Sequence, residues 1–306
     1  MPVQSSDSIR AASRAFSGAL EPVIGQVYFA PECHRNYQAL GFAGSARDMG
    51  GVALPDGPAY FTSRGSLLGQ VGGELIASAF AVFNPAAVVP AVAHGWTLTD
   101  AATIRQARHD GAVAQLRRLL GSSIDDLDFV VGSLRRGVDA CRLEGRPLFA
   151  GVMNQPTAGD ALGQLFVFGD ALREFRGDAH TAAWIAAGFD AVEIGLLTER
   201  YWGLPFKSYV RTRAWSDEQL DAGLEQLQHG GLVDAKGLSL TDTGRQVREQ
   251  IERVTDDQTA PSMLAMGDDL AATTDALARW AAIVRAGHGY PSQGPQDLAT
   301  LARSGR

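Results

Sequence analysis

Between Leu172 and Gly188 the chain reads LREFRGDAHTAAWIAAG, the densest run of groups able to do chemistry in its sequence. At 3.6 residues per turn, Arg173, Arg176, Gly177, His180 and Trp184 fall on one stripe of a helix, with Glu174, Asp178 and Thr181 on the next. Two fixed cations beside an imidazole suit an anionic or carbonyl-bearing organic ligand. His180 would then be a general acid or base, held neutral near pH 7 by Arg176 one turn away. The plainer reading is a histidine hydrogen-bonded to a carboxylate. As a metal or haem ligand it lacks companions: there is no His-x-x-x-His or Glu-x-x-His pair, and Cys33 and His34 adjoin in sequence instead of sharing a helix face.

Glycine inside a helix costs about 1 kcal/mol relative to alanine, so Gly177 marks the close approach of a second backbone or of a ligand. Asp178 lies two residues before His180 and faces elsewhere; its expected partners are Arg64 or Arg213, or it forms an acidic edge with Glu174. Arg64, in YFTSRGSLLGQ, is the only cation between Arg47 and Arg105. It is either an anion contact or a helix-terminal arginine with a packed stem. Trp184, Tyr201 and Trp202 line an apolar pocket or are plain core. The expected catalytic set is therefore His180, Asp178 and Arg176, and the substrate-binding set Arg64, Arg173, Gly177, Glu174, Trp184 and Tyr60. No phosphate loop and no Gly-x-Ser-x-Gly elbow occurs, and no redox cofactor motif is visible. Cofactor-free proton transfer, cyclisation or rearrangement fits these groups best, with no cofactor and no metal.

The elements that must position these residues are helices. The chain has 306 residues, 45% hydrophobic and 20% charged, the profile of a globular protein with room for a full core. Its formal charge of −7 argues against a general polyanion binder. Two cysteines at unrelated positions give no disulfide framework and fit a reducing cytoplasm. No 18-residue uncharged apolar window exists, so no membrane span is expected. The N-terminus lacks the apolar stretch of a secretory signal and reads as an amphipathic helix with Ile9, Ala12, Phe16 and Leu20 inward.

Further helices are predicted from Pro31 to Gly41, across Val71 to Ala93 with a break at Asn84-Pro85, and after a cap at Thr97 or Thr99 up to Gly121. Others follow over Ser123–Glu144, Asp160–Ala187 with a break near Gly169, and Phe189–Glu199. Residues 149–156 are ambiguous. Ser216 with Gln219 forms a capping box, GLVDAKGLSL alternates like a hairpin turning at Lys236-Gly237, and Thr243 with Gln246 caps the next helix. A last amphipathic helix over Ser262–Arg285 either folds back on the chain or offers a homodimer surface. The fold is mainly α, divided as 1–213 helical ligand or catalytic domain, 214–258 winged helix, and 259–306 C-terminal helix and tail.

YFTSRGSLLG, LREFRGDAH and the run from Trp215 to Asp257 together resemble an actinobacterial family of helical proteins with a C-terminal winged-helix segment akin to the MarR regulators. The family pattern matches Arg64, Leu68 and Gly69, then Arg173, Glu174, Arg176, Gly177, Asp178 and His180. Ser66 and Leu67 stand where alanine and proline are usual, Phe175 for a histidine and Ala179 for a glycine. The charged positions are intact. The resemblance implies a mainly helical fold ending in a winged helix.

A DNA-reading winged helix carries cations on the helix before its wing. Asp217–His229 carries Asp217, Glu218, Asp221 and Glu225 and no Lys or Arg, and Trp215–Asp257 holds four cations against ten acids. DNA is therefore not the expected partner. The leading expectation is a cytoplasmic small-molecule-binding protein, an enzyme of specialised metabolism. The alternatives are a MarR-like ligand-responsive regulator and a partner-binding scaffold.

Overall fold

The computed structural model describes residues 6–49, 51–156, 159–236 and 239–291, and within them the architecture is mainly α. α1 (Ser6–Gly25) turns its Ile9, Phe16, Leu20 and Ile24 into the core, the expected face. α2 (Pro31–Ala39) starts on Pro31, whose missing N–H costs nothing in a first turn, and Gly41 follows it at φ +98°. The loop expected over residues 44–57 contains a two-residue antiparallel ladder, β1 (Asp48–Met49) with β2 (Val52–Ala53). Asp56 caps α3 (Gly57–Gly65) through the Ala59 N–H.

α4 (Gly73–Phe80) and α5 (Pro85–Leu98) are separated at the expected Asn84-Pro85 step. Asp100, not Thr97 or Thr99, caps α6 (Ala101–Leu120), because its carboxylate accepts from both the N–H and the hydroxyl of Thr103. α7 spans Leu127–Asp139, shorter than expected. The ambiguous segment forms α8 (Pro147–Met153).

α9 (Ala161–Ala186) is the central element, packed against α7, α12, α8, α1 and α6. Its core side carries Leu165, Phe166, Leu172, Phe175 and Ala179, each at most 5% exposed. Burial of each such large side chain contributes about 1.5–3 kcal/mol. The helix does not break at Gly169. A Cβ there would lie 2.4 Å from Ile24 Cδ1, so glycine at this position lets α1 close on α9.

α10 (Ala191–Tyr201) opens with a capping box from Asp190 and Glu193. The loop to α11 (Asp217–His229) is tied to the fully buried Glu199, whose carboxylate accepts from the N–H groups of Lys207, Tyr209 and Val210 at 2.7–2.8 Å. Ser216 and Gln219 form the expected capping box of α11. The hairpin is reduced to one bridge, Val233 with Leu240, and the expected turn residue Gly237 lies outside the described residues.

α12 (Asp242–Met266) begins two residues earlier than expected: Thr241, not Thr243, caps it through the Gly244 N–H. Thr241 also donates to the Gly231 carbonyl, so one hydroxyl serves helix and wing together. The expected helix over Ser262–Arg285 is in fact the end of α12 and a separate α13 (Asp269–Ala286), parted at Gly267 with φ +60°. α12 therefore runs unbroken past residue 258.

Candidate functional site

α9 places its charged stripe where three other helices converge. Glu174, 1% exposed, accepts from Arg64 Nε at 3.0 Å and Arg64 Nη2 at 2.7 Å, a bidentate pair that ties α3 to α9. Arg173 Nη1 adds a third donor at 3.1 Å. Burial alone would raise the Glu174 carboxyl, yet Arg64 and Arg173 hold it down at about 2. Arg173 grips Glu21 of α1 through Nε at 2.8 Å and Nη2 at 3.1 Å. The Arg173 guanidinium lies 5.1 Å from the Tyr28 ring centre, and Arg64 lies 4.5 Å from that of Phe80. Tyr60 reaches Arg64 Nη1 only at 3.5 Å, a weak contact.

Arg176 turns to α12 instead. Its Nη1 donates to Asp256 at 2.8 Å and its Nη2 to Glu252 at 3.2 Å. Arg14 of α1 closes the ring with Asp256 and Glu249. Arg64, Arg173 and Arg176, expected to be open to a ligand, thus each pair with at least one carboxylate.

His180 Nδ1 lies 3.1 Å from Thr255 Oγ1. That hydroxyl has one hydrogen and gives it to the Ile251 carbonyl at 2.8 Å, so towards the imidazole it can only accept. Nδ1 must then carry the proton, which leaves the Nε2 lone pair free, and no hydrogen bond reaches Nε2 among the described residues. Burial lowers the His180 pKa to about 4. Arg248 and then Arg176 push the same way, while Glu252 opposes them. The imidazole is neutral at pH 7, mainly for a reason the sequence does not display.

Asp178 departs from its expected partners. It pairs with neither Arg64 nor Arg213; its Oδ2 accepts the N–H groups of Leu148 and Phe149, both at 3.1 Å, at the start of α8. Burial raises its carboxyl to about 7, opposed by those two N–H groups.

Gly177 departs as well. No second backbone approaches it: a Cβ would meet only Glu174 Oε2, at 3.8 Å. The residue is exposed although Glu174, Phe175, Asp178 and Ala179 around it are buried. Gly177 therefore leaves an uncovered gap between side chains on the outward stripe of α9, between Arg173 and His180 along the helix.

Trp184 is buried with Ala183, Ile194 and Ile251 and lines an apolar groove of about 400 Å³ with Ala77, Pro85, Val89 and Ile185. Tyr201 and Trp202 are not part of that groove lining; they stack edge to face, 5.1 Å apart. Among the described residues no three of His, Cys, Asp and Glu group to hold a metal ion. Among the described residues no single helix is long and apolar enough to cross a membrane.

The partners Glu21, Tyr28, Glu252, Asp256 and Thr255 were not foreseen in the sequence. Their signal is weak there: the two acids on α12 recur at a spacing of four, which by itself describes any solvated face. The fully buried pair Arg108 and Asp170, joined at 2.9 and 3.2 Å, was equally invisible.

Across the α11 surface Asp217, Glu218, Asp221 and Glu225 are exposed, and among the described residues Arg211 and Lys207 offset them through ion pairs to Asp217 and Asp221. Compared with known families, residues 13–291 match the model of one described as a helix-turn-helix family. Neither the curated proteins nor the solved structures contain a match.

Proposed function

The chain belongs to this helix-turn-helix family, and on that premise we propose that it handles a small anionic or carbonyl-bearing organic ligand at the gap over Gly177. The observation that carries this reading is the glycine itself, exposed on the outward stripe of α9 beside Arg173, Arg176 and His180, with nothing closer than 3.8 Å to a Cβ there. An alanine would be about 1 kcal/mol better for the helix, so the open space is maintained at a cost.

The groups next to the gap supply the chemistry. His180 presents an unprotonated Nε2, the form a general base needs near neutral pH. Asp178, one residue after the glycine, holds its proton up to about pH 7 and organises the start of α8. Arg173 and Arg176 are each paired with carboxylates, so what they would offer a ligand is hydrogen-bond donors on their partly exposed guanidinium edges and not free charge, with Arg64 behind Glu174 and Tyr60 against Arg64. Trp184 gives an apolar wall one turn beyond His180. A cytoplasmic, cofactor-independent proton transfer, cyclisation or rearrangement in specialised metabolism fits that set.

Native mass spectrometry of wild type, Gly177→Leu and His180→Gln against a library of organic acids and ketones tests it. A ligand is expected that binds wild type, fails on Gly177→Leu and is still bound but not converted by His180→Gln. Binding undiminished in Gly177→Leu would sink the site.

A second reading, a MarR-like ligand-responsive regulator, is favoured by the family description and opposed by the acidic surface of α11. It requires operator binding whose affinity falls steeply with salt. Selection from random duplex DNA at 50 and 200 mM salt (over which the Debye length falls by about half) distinguishes it, and an enriched palindrome would move the site's role from catalysis to sensing.

A further inference from the structure

We propose a second ligand site, for a small carboxylate with a flat apolar body, in the depression between the turn that follows α7, the Phe175 side of α9 and the middle of α12. The depression holds about 310 Å³, near the lower end of the roughly 300–1,000 Å³ common for small-molecule pockets. Phe175 lies two residues, about 200°, round α9 from Gly177, so this site and the gap open on different sides of the helix.

Its floor is apolar. Phe175 is 4% exposed, packs edge to face on Phe149 at 5.1 Å, and shares the lining with Pro261 and Ala140. Its polar groups converge from one edge. The Arg146 guanidinium sits 5.2 Å from the Phe175 ring centre, a cation–π contact that sets its plane. Arg146 Nη1 donates to the Gly145 carbonyl at 3.1 Å and Nη2 to Gln258 Oε1 at 2.5 Å, while Gln258 is itself held by donating to the Ala179 carbonyl.

Among the described residues Arg146 lacks a counter-charge, as half-buried Arg213 also does, but Arg146 is the one that lines this depression. Arg64, Arg108, Arg173, Arg176 and Arg248 each face a carboxylate within 4 Å, as half-buried or buried arginines ordinarily must. Arg146 has no carboxylate partner among the described residues, and its Nε is buried without any hydrogen bond. The nearby acid on the rim, Glu144, is taken by Arg142 at 2.8 Å. The lining therefore holds two guanidinium groups against one carboxylate, one positive charge in excess over an aromatic floor. A carboxylate whose ring lies along Phe175 and Pro261 would supply the counter-charge that the fold omits.

Fluorine NMR titration of the whole protein with 4-fluorobenzoate tests this. Wild type is expected to bind saturably, and 4-fluorobenzamide, which has the same shape without the charge, to bind about tenfold more weakly or less. Arg146→Gln should weaken 4-fluorobenzoate by a similar factor. Ala140→Trp, which fills the depression and leaves Arg146 in place, should abolish it; melting curves show whether both variants are folded. No saturable 4-fluorobenzoate binding by wild type, equal binding of the amide, or binding that survives Ala140→Trp overturns the proposal.

Discussion

At the scale of single residues, the site is a set of titrations that oppose one another. His180 has its folded pKa depressed from 6.5 to about 4, so the stability it contributes is complete above pH 6.5 and is lost as pH falls through 4. Asp178 has its pKa raised from 3.8 to about 7, so its contribution is complete below pH 3.8 and is lost as pH rises through 7. Between pH 4 and 7 the two slopes have opposite signs. Denaturant midpoints across that window should therefore be flatter in wild type than in either variant. Asp178→Asn should lose stability on acidification, and His180→Gln should gain it; parallel profiles for the two variants would refute the assignment. Below pH 4.5, Glu174 adds a further loss as its depressed carboxyl is approached. Glu174→Gln should cost about 3–5 kcal/mol at neutral pH, since Arg64 and Arg173 would be left with a neutral amide in a buried place. Urea unfolding of that variant measures it.

At the scale of elements, two glycines on α9 give opposite expectations. Gly177→Ala should stabilise the protein by about 0.5–1 kcal/mol, because the methyl meets open space. Gly169→Ala should destabilise it by about 1–3 kcal/mol, because Ile24 would have to move. Thermal unfolding of both decides, and a destabilised Gly177→Ala would mean that the gap is not open. From sequence both look alike, as small residues in a helical run; only packing tells which one admits a neighbour. The long helices were legible because periodicity and caps act locally: Asp160 before α9, Ser216 with Gln219 before α11 and Pro31 at α2 all stand where local rules put them. The misreadings are also local. Thr97, Thr99 and Thr243 are sound caps by type, but Asp100 and Thr241 sit nearer the turn that tertiary packing selects. Of the site, the stripe was legible and its partners were not. Glu21, Glu252 and Asp256 lie up to 152 residues from the arginines they hold, and no spacing rule spans that distance.

At the scale of the whole molecule, a formal charge of −7 and the acidic surface of α11 set the expectation for nucleic acid. Fluorescence anisotropy with a mixed-sequence duplex at 50 mM salt (where about a tenfold advantage over physiological salt is usual for a few phosphate contacts) should show no binding. Binding that falls steeply as salt rises would restore the regulator reading. The absence of a counter-charge at Arg146 and the pairing of every arginine on the stripe also divide the molecule into a part already neutralised and a part that is not.

α12 joins two of these regions mechanically. At its start Gly244 lies so close to the wing that a Cβ would stand 2.0 Å from the Leu232 carbonyl oxygen, leaving no slack there. Twelve residues on, about 18 Å along the axis, Asp256 receives both Arg14 and Arg176. The helix is thus held tightly at its start and again near its middle. The same helix therefore meets the wing at Gly244 and the arginines of α1 and α9 at Asp256, with Thr255, the neighbour of His180, one residue before that junction.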